Sequence, residues 1–147
     1  IPCKIIIDKD FSQKELFELE IINNLINYDI ELIVMAGWMK IVSPFFINKF
    51  KNKIINIHPS LLPAYKGGSA IKDCLLKGSK ITGCSVHFVE EEVDSGSLIM
   101  QAALSILNDD NIETLSKKIQ LLEHIILPHS ISHAGNLIRG DLRKDIS

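Results

Sequence analysis

Residues 53–68 read "KIINIHPSLLPAYKGG", and the order of these residues decides the fold. "KIINI" is a short apolar run of the kind that fills a core as a strand covered on both faces. It breaks into a loop marked by Pro59, Pro63, Gly67 and Gly68, and Ser69 to Lys77 then reads as a helix stopped by Gly78. The stretch before it repeats the sequence of elements. "ELIVMAG" (31–37) is a second continuous apolar strand, and Ser43-Pro44 opens a short helix through "FFINKF", with Ser as N-cap and Pro in the first turn. At the start, "CKIII" reads as a strand. "DFSQKELFELEIINNLIN" follows as a helix, with Ser12 and Glu15 forming a capping box and Leu19, Ile22 and Ile26 on one face. Strands alternating with helices predict an α/β chain with a parallel sheet and right-handed crossovers.

The later part departs from that alternation. "TGCSVHFV" and "SLIMQAALSI" are two strands around the acidic turn "EEEVDSG", so the sheet becomes mixed. The segment from Asp109 to Ile138 is helical, with Ile112, Leu115, Ile119, Leu122 and Ile126 on one stripe, and Pro128 is expected to kink or break it. The polar residues after Gly140 read as a frayed tail. In open α/β sheets, ligands gather at the carboxyl ends of strands. Asn56 and His58 lie at such an end, as does "GWMKI" after the strand before it.

A chain of 147 residues is long enough for one domain with a sizeable core. A net charge of −2 supplies no global field for nucleic acid or anionic lipid. The three cysteines, Cys3, Cys74 and Cys84, are far apart and form neither a disulfide framework nor a zinc pattern, so a reducing compartment is expected. No apolar run approaches the ~20 residues that cross a bilayer. The chain opens on Ile1 rather than Met, in a stretch that already reads as strand, which is expected of a sequence whose beginning has been removed.

Asn56 and His58 are two apart on a strand and therefore address one face. An amide can donate to an oxyanion and an imidazole can move a proton near neutral pH; a capped strand end with a solvated histidine fits the pair as well. Asp94 follows in a run with four acids in five positions. It is either a carboxylate for His58 or part of a solvated turn. His87, in the middle of "SVHFV", reads as a packed strand residue. His124, His129 and His133 carry no accompanying carboxylate pattern, so no metal site is expected. Glu123 flanks the apolar stripe of the last helix, either meeting a substrate amine or reaching water. Gly67 and Gly68 stand before a helix that could bind an anion at its N-terminus.

Three stretches together, "AGWMKIVSP", "NIHPSLLPAYKGG" and "TGCSVHFVEEEVDSGSLIMQ", with "QLLEHIILP" after them, resemble the phosphoribosylglycinamide formyltransferases. The likeness runs in order from about Ile1 to Gly140. It implies a Rossmann-like open sheet, mostly parallel with an antiparallel part and with helices on both faces. It also implies a single catalytic domain over residues 1–147, corresponding to the C-terminal three quarters of the family's domain. The phosphate-cradling loop with which family members begin has no counterpart here, so weak or absent ribonucleotide binding by this chain alone is expected.

The resemblance further implies formyl transfer from 10-formyltetrahydrofolate to the amine of glycinamide ribonucleotide, in the cytoplasm and on the route to IMP. The enzyme would be a monomer or weak homodimer with no nucleic-acid or membrane partner and no metal. Asn56 would bind the oxyanion, His58 would polarise the formyl group and relay a proton, and Asp94 would hold His58 protonated and oriented. Met39, Lys40, Ile41 and Val42 match the segment along the pterin, and Val89, Glu90, Glu91, Val93 and Asp94 belong to the loop that closes the other side. Lys14 matches a basic position associated with folate, Glu123 the acid that receives the amine, and Asn56 and Pro59 the ribonucleotide side. Methionyl-tRNA formyltransferase has a similar loop but adds an RNA-binding domain. Formyltetrahydrofolate hydrolase tends to carry a second His where Pro59 stands. A folate-binding module without turnover is the remaining alternative.

Overall fold

The computed structural model describes residues 3–144. After a 3-10 turn at Asp8–Asp10, the elements are α1 (Lys14–Asn27), β1 (Ile33–Met35), α2 (Pro44–Lys49), β2 (Ile54–His58), α3 (Ala70–Leu76), β3 (Ile81–Phe88), β4 (Leu98–Ser105) and α4 (Ile112–Lys144). The four strands form one open sheet in chain order. β1 and β2 are parallel, while β2–β3 and β3–β4 are antiparallel. The mixed sheet read from the sequence is therefore present, its parallel part lying at β1 and β2 among the described residues.

Two neighbouring residues on β2 show how the sheet is covered. Ile54 belongs to a cluster with Ile22 of α1, Met35, Val42, and Phe46, Ile47 and Phe50 at α2. Ile55 belongs to another, with Cys74 of α3, Cys84 and Val86 of β3, and Leu115, Ile119, Ile126 and Ala134 of α4. Successive side chains of a strand point to opposite faces, so the two clusters sit on opposite sides of the sheet and helices cover both. Full burial of an isoleucine contributes about 1.5–3 kcal/mol, and β2 anchors both cores at once.

Four local expectations are corrected. Residues 3–7 form no strand, and Ile5 and Ile7 are exposed. A strand needs a neighbour for its backbone groups, and among the described residues β1 pairs only with β2; residues 1 and 2 lie outside the described residues. The Ser12–Glu15 capping box does not form. α1 begins at Lys14 with Gln13 as an uncapped N-cap, one residue too late for Ser12. Its buried face is Phe17, Glu18 and Ile22, with Leu19 and Ile26 turned outward. Finally, α4 runs without a break across Pro128 to Lys144, beyond the expected frayed end. Leu115 and Ile119 before the proline, and Ala134 after it, are all buried in one core. Packing on both sides holds the helix through the lost hydrogen bond.

At α2 the sequence signal holds. Ser43 is the N-cap, its hydroxyl accepting from Phe46 N at 3.2 Å, with Pro44 in the first turn. The buried Glu18 carboxylate accepts from Ser43 N at 2.8 Å and from the Ser43 hydroxyl, which ties α1 to the start of α2.

Candidate active site

The parallel and antiparallel registers place three side chains in one row across the sheet. Met35 pairs with Asn56, and Asn56 with His87. Directly paired residues share a face, so Met35, Asn56 and His87 line the floor of a cleft of about 410 Å³ at the carboxyl ends of β1 and β2. His58, two residues after Asn56, completes the row's edge. The loop after β1 and the loop between β3 and β4 form the walls: Met39, Lys40, Ile41 and Val42 on one side, Val89, Glu90, Val93 and Asp94 on the other. Pro59 and Glu123 close a third side.

The loop after β2 is held by a buried polar network. Ser85 Oγ donates to Ser60 O at 2.6 Å and accepts from Leu62 N at 3.0 Å. Gln101 Nε2 donates to Leu62 O and to Ser85 Oγ. The Ser60 hydroxyl reaches Ala64 O, and Tyr65 OH meets Ser79 Oγ at 2.6 Å. These bonds fix the Tyr65 carbonyl 2.8 Å from His58 Nε2. A carbonyl only accepts, so Nε2 carries the hydrogen.

The other edge of the His58 ring faces Asp94, with Nδ1 3.4 Å from Oδ2 and both side chains 7% exposed. Asp94 adopts a left-handed backbone at φ 51°, strained for a residue other than glycine. Its Oδ2 accepts the Gly67 N–H at 2.8 Å. Gly67 itself sits at φ +85°, where a side chain would be strained. The Gly67 amide thus anchors the Asp94 carboxylate and is not a free donor at a helix start, which corrects the anion-site expectation for Gly67.

Asp94 also faces a second histidine. His87 Nε2 lies 3.5 Å from Asp94 Oδ1, and its Nδ1–H donates to Phe88 O at 2.7 Å. Burial lowers the proton affinity of His87, opposed by the Phe88 carbonyl and the Asp94 charge. On α4, burial raises the Glu123 pKa, with His124 and His58 pulling it down. Burial, with the Glu123 charge added, pushes the nearby Cys84 thiol up to about 12, so that sulfur is inert.

Two expected site residues lie elsewhere. Lys14 lines an adjoining cavity of about 580 Å³, which shares Trp38, Met39, Lys40 and Ile41 with the cleft; its amine is 3.8 Å from Glu18. Glu91 does not line the cleft, and its carboxylate accepts from Asn48 Nδ2 at 3.2 Å. His87, by contrast, lines the cleft although it reads as a packed strand residue. The signal that could have found it is alternation, since His87 is two residues before Val89 and shares its face. Among the described residues, no group of three or more His, Cys, Asp or Glu is placed to hold a metal ion, and no helix is long and apolar enough to cross a membrane.

Comparison with known proteins places this geometry. The family profile described as formyl transferase matches residues 1–131. The trifunctional purine biosynthetic protein adenosine-3 of Chironomus tentans is 45% identical over 131 residues, covering 89% of this chain and 10% of that protein. The phosphoribosylglycinamide formyltransferase of Bacillus subtilis is 39% identical over 131 residues, covering 89% of this chain and 67% of that protein. The crystal structure of glycinamide ribonucleotide transformylase 1 from Symbiobacterium toebii superposes with a TM-score of 0.81 at 39% identity, over 84% of this chain and 58% of that one. This chain thus spans a tenth of the trifunctional relative's length. A family match along nearly the whole chain, on a mixed sheet whose strand ends gather Asn56, His58 and Asp94, leads to one conclusion: the chain belongs to the formyl transferase family.

Proposed function

We propose that this chain carries the acyl-transfer centre of a phosphoribosylglycinamide formyltransferase. It would move a formyl group from 10-formyltetrahydrofolate to the amine of N1-(5-phosphoribosyl)glycinamide in purine biosynthesis. The observation that carries this reading is the His58 imidazole held between the Tyr65 carbonyl and the Asp94 carboxylate, two residues along the strand from Asn56.

The amine attacks the formyl carbon and charge develops on the formyl oxygen. An Asn56 amide donor at that oxygen would stabilise the tetrahedral intermediate, the kind of contact whose loss costs about 10²–10³ in rate. The attacking amine must lose a proton and the leaving folate nitrogen must gain one, and His58 relays it from the first to the second. The Nε2 hydrogen is bonded to Tyr65 O in the present state, so delivery involves a handover from that carbonyl. Asp94 keeps the ring aimed while the proton leaves. The exposed Met39 and Ile41, at 80% and 65% exposure, offer apolar surface for a pterin ring, and Val89, Glu90 and Val93 face it across the cleft. Glu123, half-buried beside Pro59, would receive the amine. Residues 1–147 would act as one catalytic domain, in the cytoplasm, as a monomer or weak homodimer.

The test follows folate absorbance with glycinamide ribonucleotide present, using this chain and the Bacillus subtilis relative in parallel. Ribonucleotide-dependent formation of tetrahydrofolate supports the reading. Release of formate without ribonucleotide, or folate binding with no turnover even when the relative's first segment is joined to the N-terminus of this chain, overturns it in favour of hydrolysis or a binding module.

A further inference from the structure

Asp94 is one carboxylate between two histidines, and neither contact is a hydrogen bond in this state; what differs is that Oδ2 is anchored by an amide and Oδ1 is not. Toward His58, Oδ2 is already ordered by the Gly67 amide and lies 3.4 Å from Nδ1. Toward His87, Oδ1 lies 3.5 Å from Nε2 with no hydrogen bond between them. Because Nδ1 of His87 gives its hydrogen to the Phe88 carbonyl, the neutral ring presents only a lone pair at Nε2. A lone pair facing a carboxylate oxygen in a buried place gains nothing, and a buried polar atom without a partner is costly. One proton added at Nε2 would turn this contact into a charge-assisted hydrogen bond.

We infer that His87 is a positioning residue for formyl transfer: neutral, it leaves Asp94 committed to His58, and protonated at Nε2, it becomes a rival donor that draws Asp94 away. This deepens the formyl-transfer reading and rests on it for its catalytic consequence only. Burial favours the neutral ring, while the Phe88 carbonyl and Asp94 favour the charged one and His58 opposes it. The other charged side chains on the cleft are Lys40, Glu90 and Glu123, from the loop after β1, the loop after β3 and α4; Lys40 is paired with Asp8. Acid adds a proton to His87, so the committed state belongs to neutral and alkaline pH. Activity falls on the acid side, by about tenfold per pH unit once a single proton controls it.

The first test needs no turnover. Ring-nitrogen NMR of the unaltered chain is followed through a pH titration, with Asp94→Asn as the partner measurement. The expected result is a neutral His87 with its hydrogen on Nδ1 at pH 7, whose protonation at lower pH shifts the His58 ring signals, a shift lost in Asp94→Asn. A His87 already charged at pH 7, or one that titrates without moving His58, overturns the inference. The second test is the pH profile of kcat. In His87→Leu the acid limb moves to lower pH, whereas His87→Gln, whose amide can donate to Oδ1 at every pH, loses kcat across the range. An acid limb in His87→Leu coincident with the unaltered chain's overturns the catalytic consequence. NMR coupling without any formyl transfer would sink the functional reading and leave the His87–Asp94–His58 coupling standing.

Discussion

Asp94→Asn removes the charge that faces His58 but keeps an oxygen for the Gly67 amide. The expected outcome is a loss of about 10²–10⁴ in kcat, the range for a disabled proton-transfer group, with folate affinity changed far less. Stopped-flow or steady-state absorbance separates the two. Glu123 gives a second prediction, with opposite signs for stability and activity. Burial raises its pKa above the ordinary 4.5, so the folded chain binds this proton more tightly than the unfolded one. Its contribution to stability is therefore greatest below pH 4.5 and is lost as pH rises through the raised value. Glu123→Gln should melt at a higher temperature than the parent at pH 7 and at the same temperature in acid, while raising KM for the ribonucleotide. Differential scanning calorimetry at several pH values checks the first part. At this scale Asn56 and His58 were legible because period-two spacing on a strand puts them on one face. Asp94 was not legible from the acid-rich run alone. What sets it apart from Glu91 and Glu92 is a left-handed backbone and a bond from an amide 27 residues away, neither of which leaves a local mark.

The turn between β3 and β4 carries Asp94, and its geometry depends on a close backbone approach. A Cβ on Gly96 would stand 1.8 Å from the Phe88 carbonyl oxygen, while Phe88 N donates to Ser97 O at 2.9 Å. Gly96→Ala must push these strands apart. It should cost about 3 kcal/mol, the upper end for overpacking, and displace Asp94; urea unfolding and the formyl-transfer rate should both register it. Among the elements, the strands at 54–58, 81–88 and 98–105 were readable from apolar runs, and α2 from Ser43-Pro44. The start of α1 was not. Ser12 followed by Glu15 has the composition of a cap, yet the helix begins at Lys14, and the deciding contacts are the burial of Phe17 and Glu18 and the bond that Glu18 accepts from Ser43, 25 residues on. Local propensity yielded to packing there. It yielded again at Pro128, whose helix-breaking tendency is outweighed by buried residues on either side.

Across the whole molecule, the cleft is walled by loops from three parts of the chain, so occupancy should stabilise far more than the loops it touches. A folate analogue at one hundred times its Kd is expected to add about 2.7 kcal/mol to unfolding, read as a rise in melting temperature. Met39→Asp should abolish that rise without lowering the melting temperature of the ligand-free chain, since Met39 is exposed. The open sheet with helices on both faces was legible because buried strands and amphipathic helices announce themselves by period. The Lys14 cavity and the place of Glu91 outside the cleft were not, since they depend on how loops from different strands fold over one another. The assignment of Ile54 to one core and Ile55 to the other has a genetic corollary. Point changes within β2 can be absorbed one core at a time, but loss or gain of a single codon there exchanges the two faces. Such a frame-preserving lesion would point Asn56 and His58 into the α4 side and evert both cores together. In a deep mutational library, single-residue deletions across 54–58 should therefore be depleted far more strongly than most substitutions at the same positions.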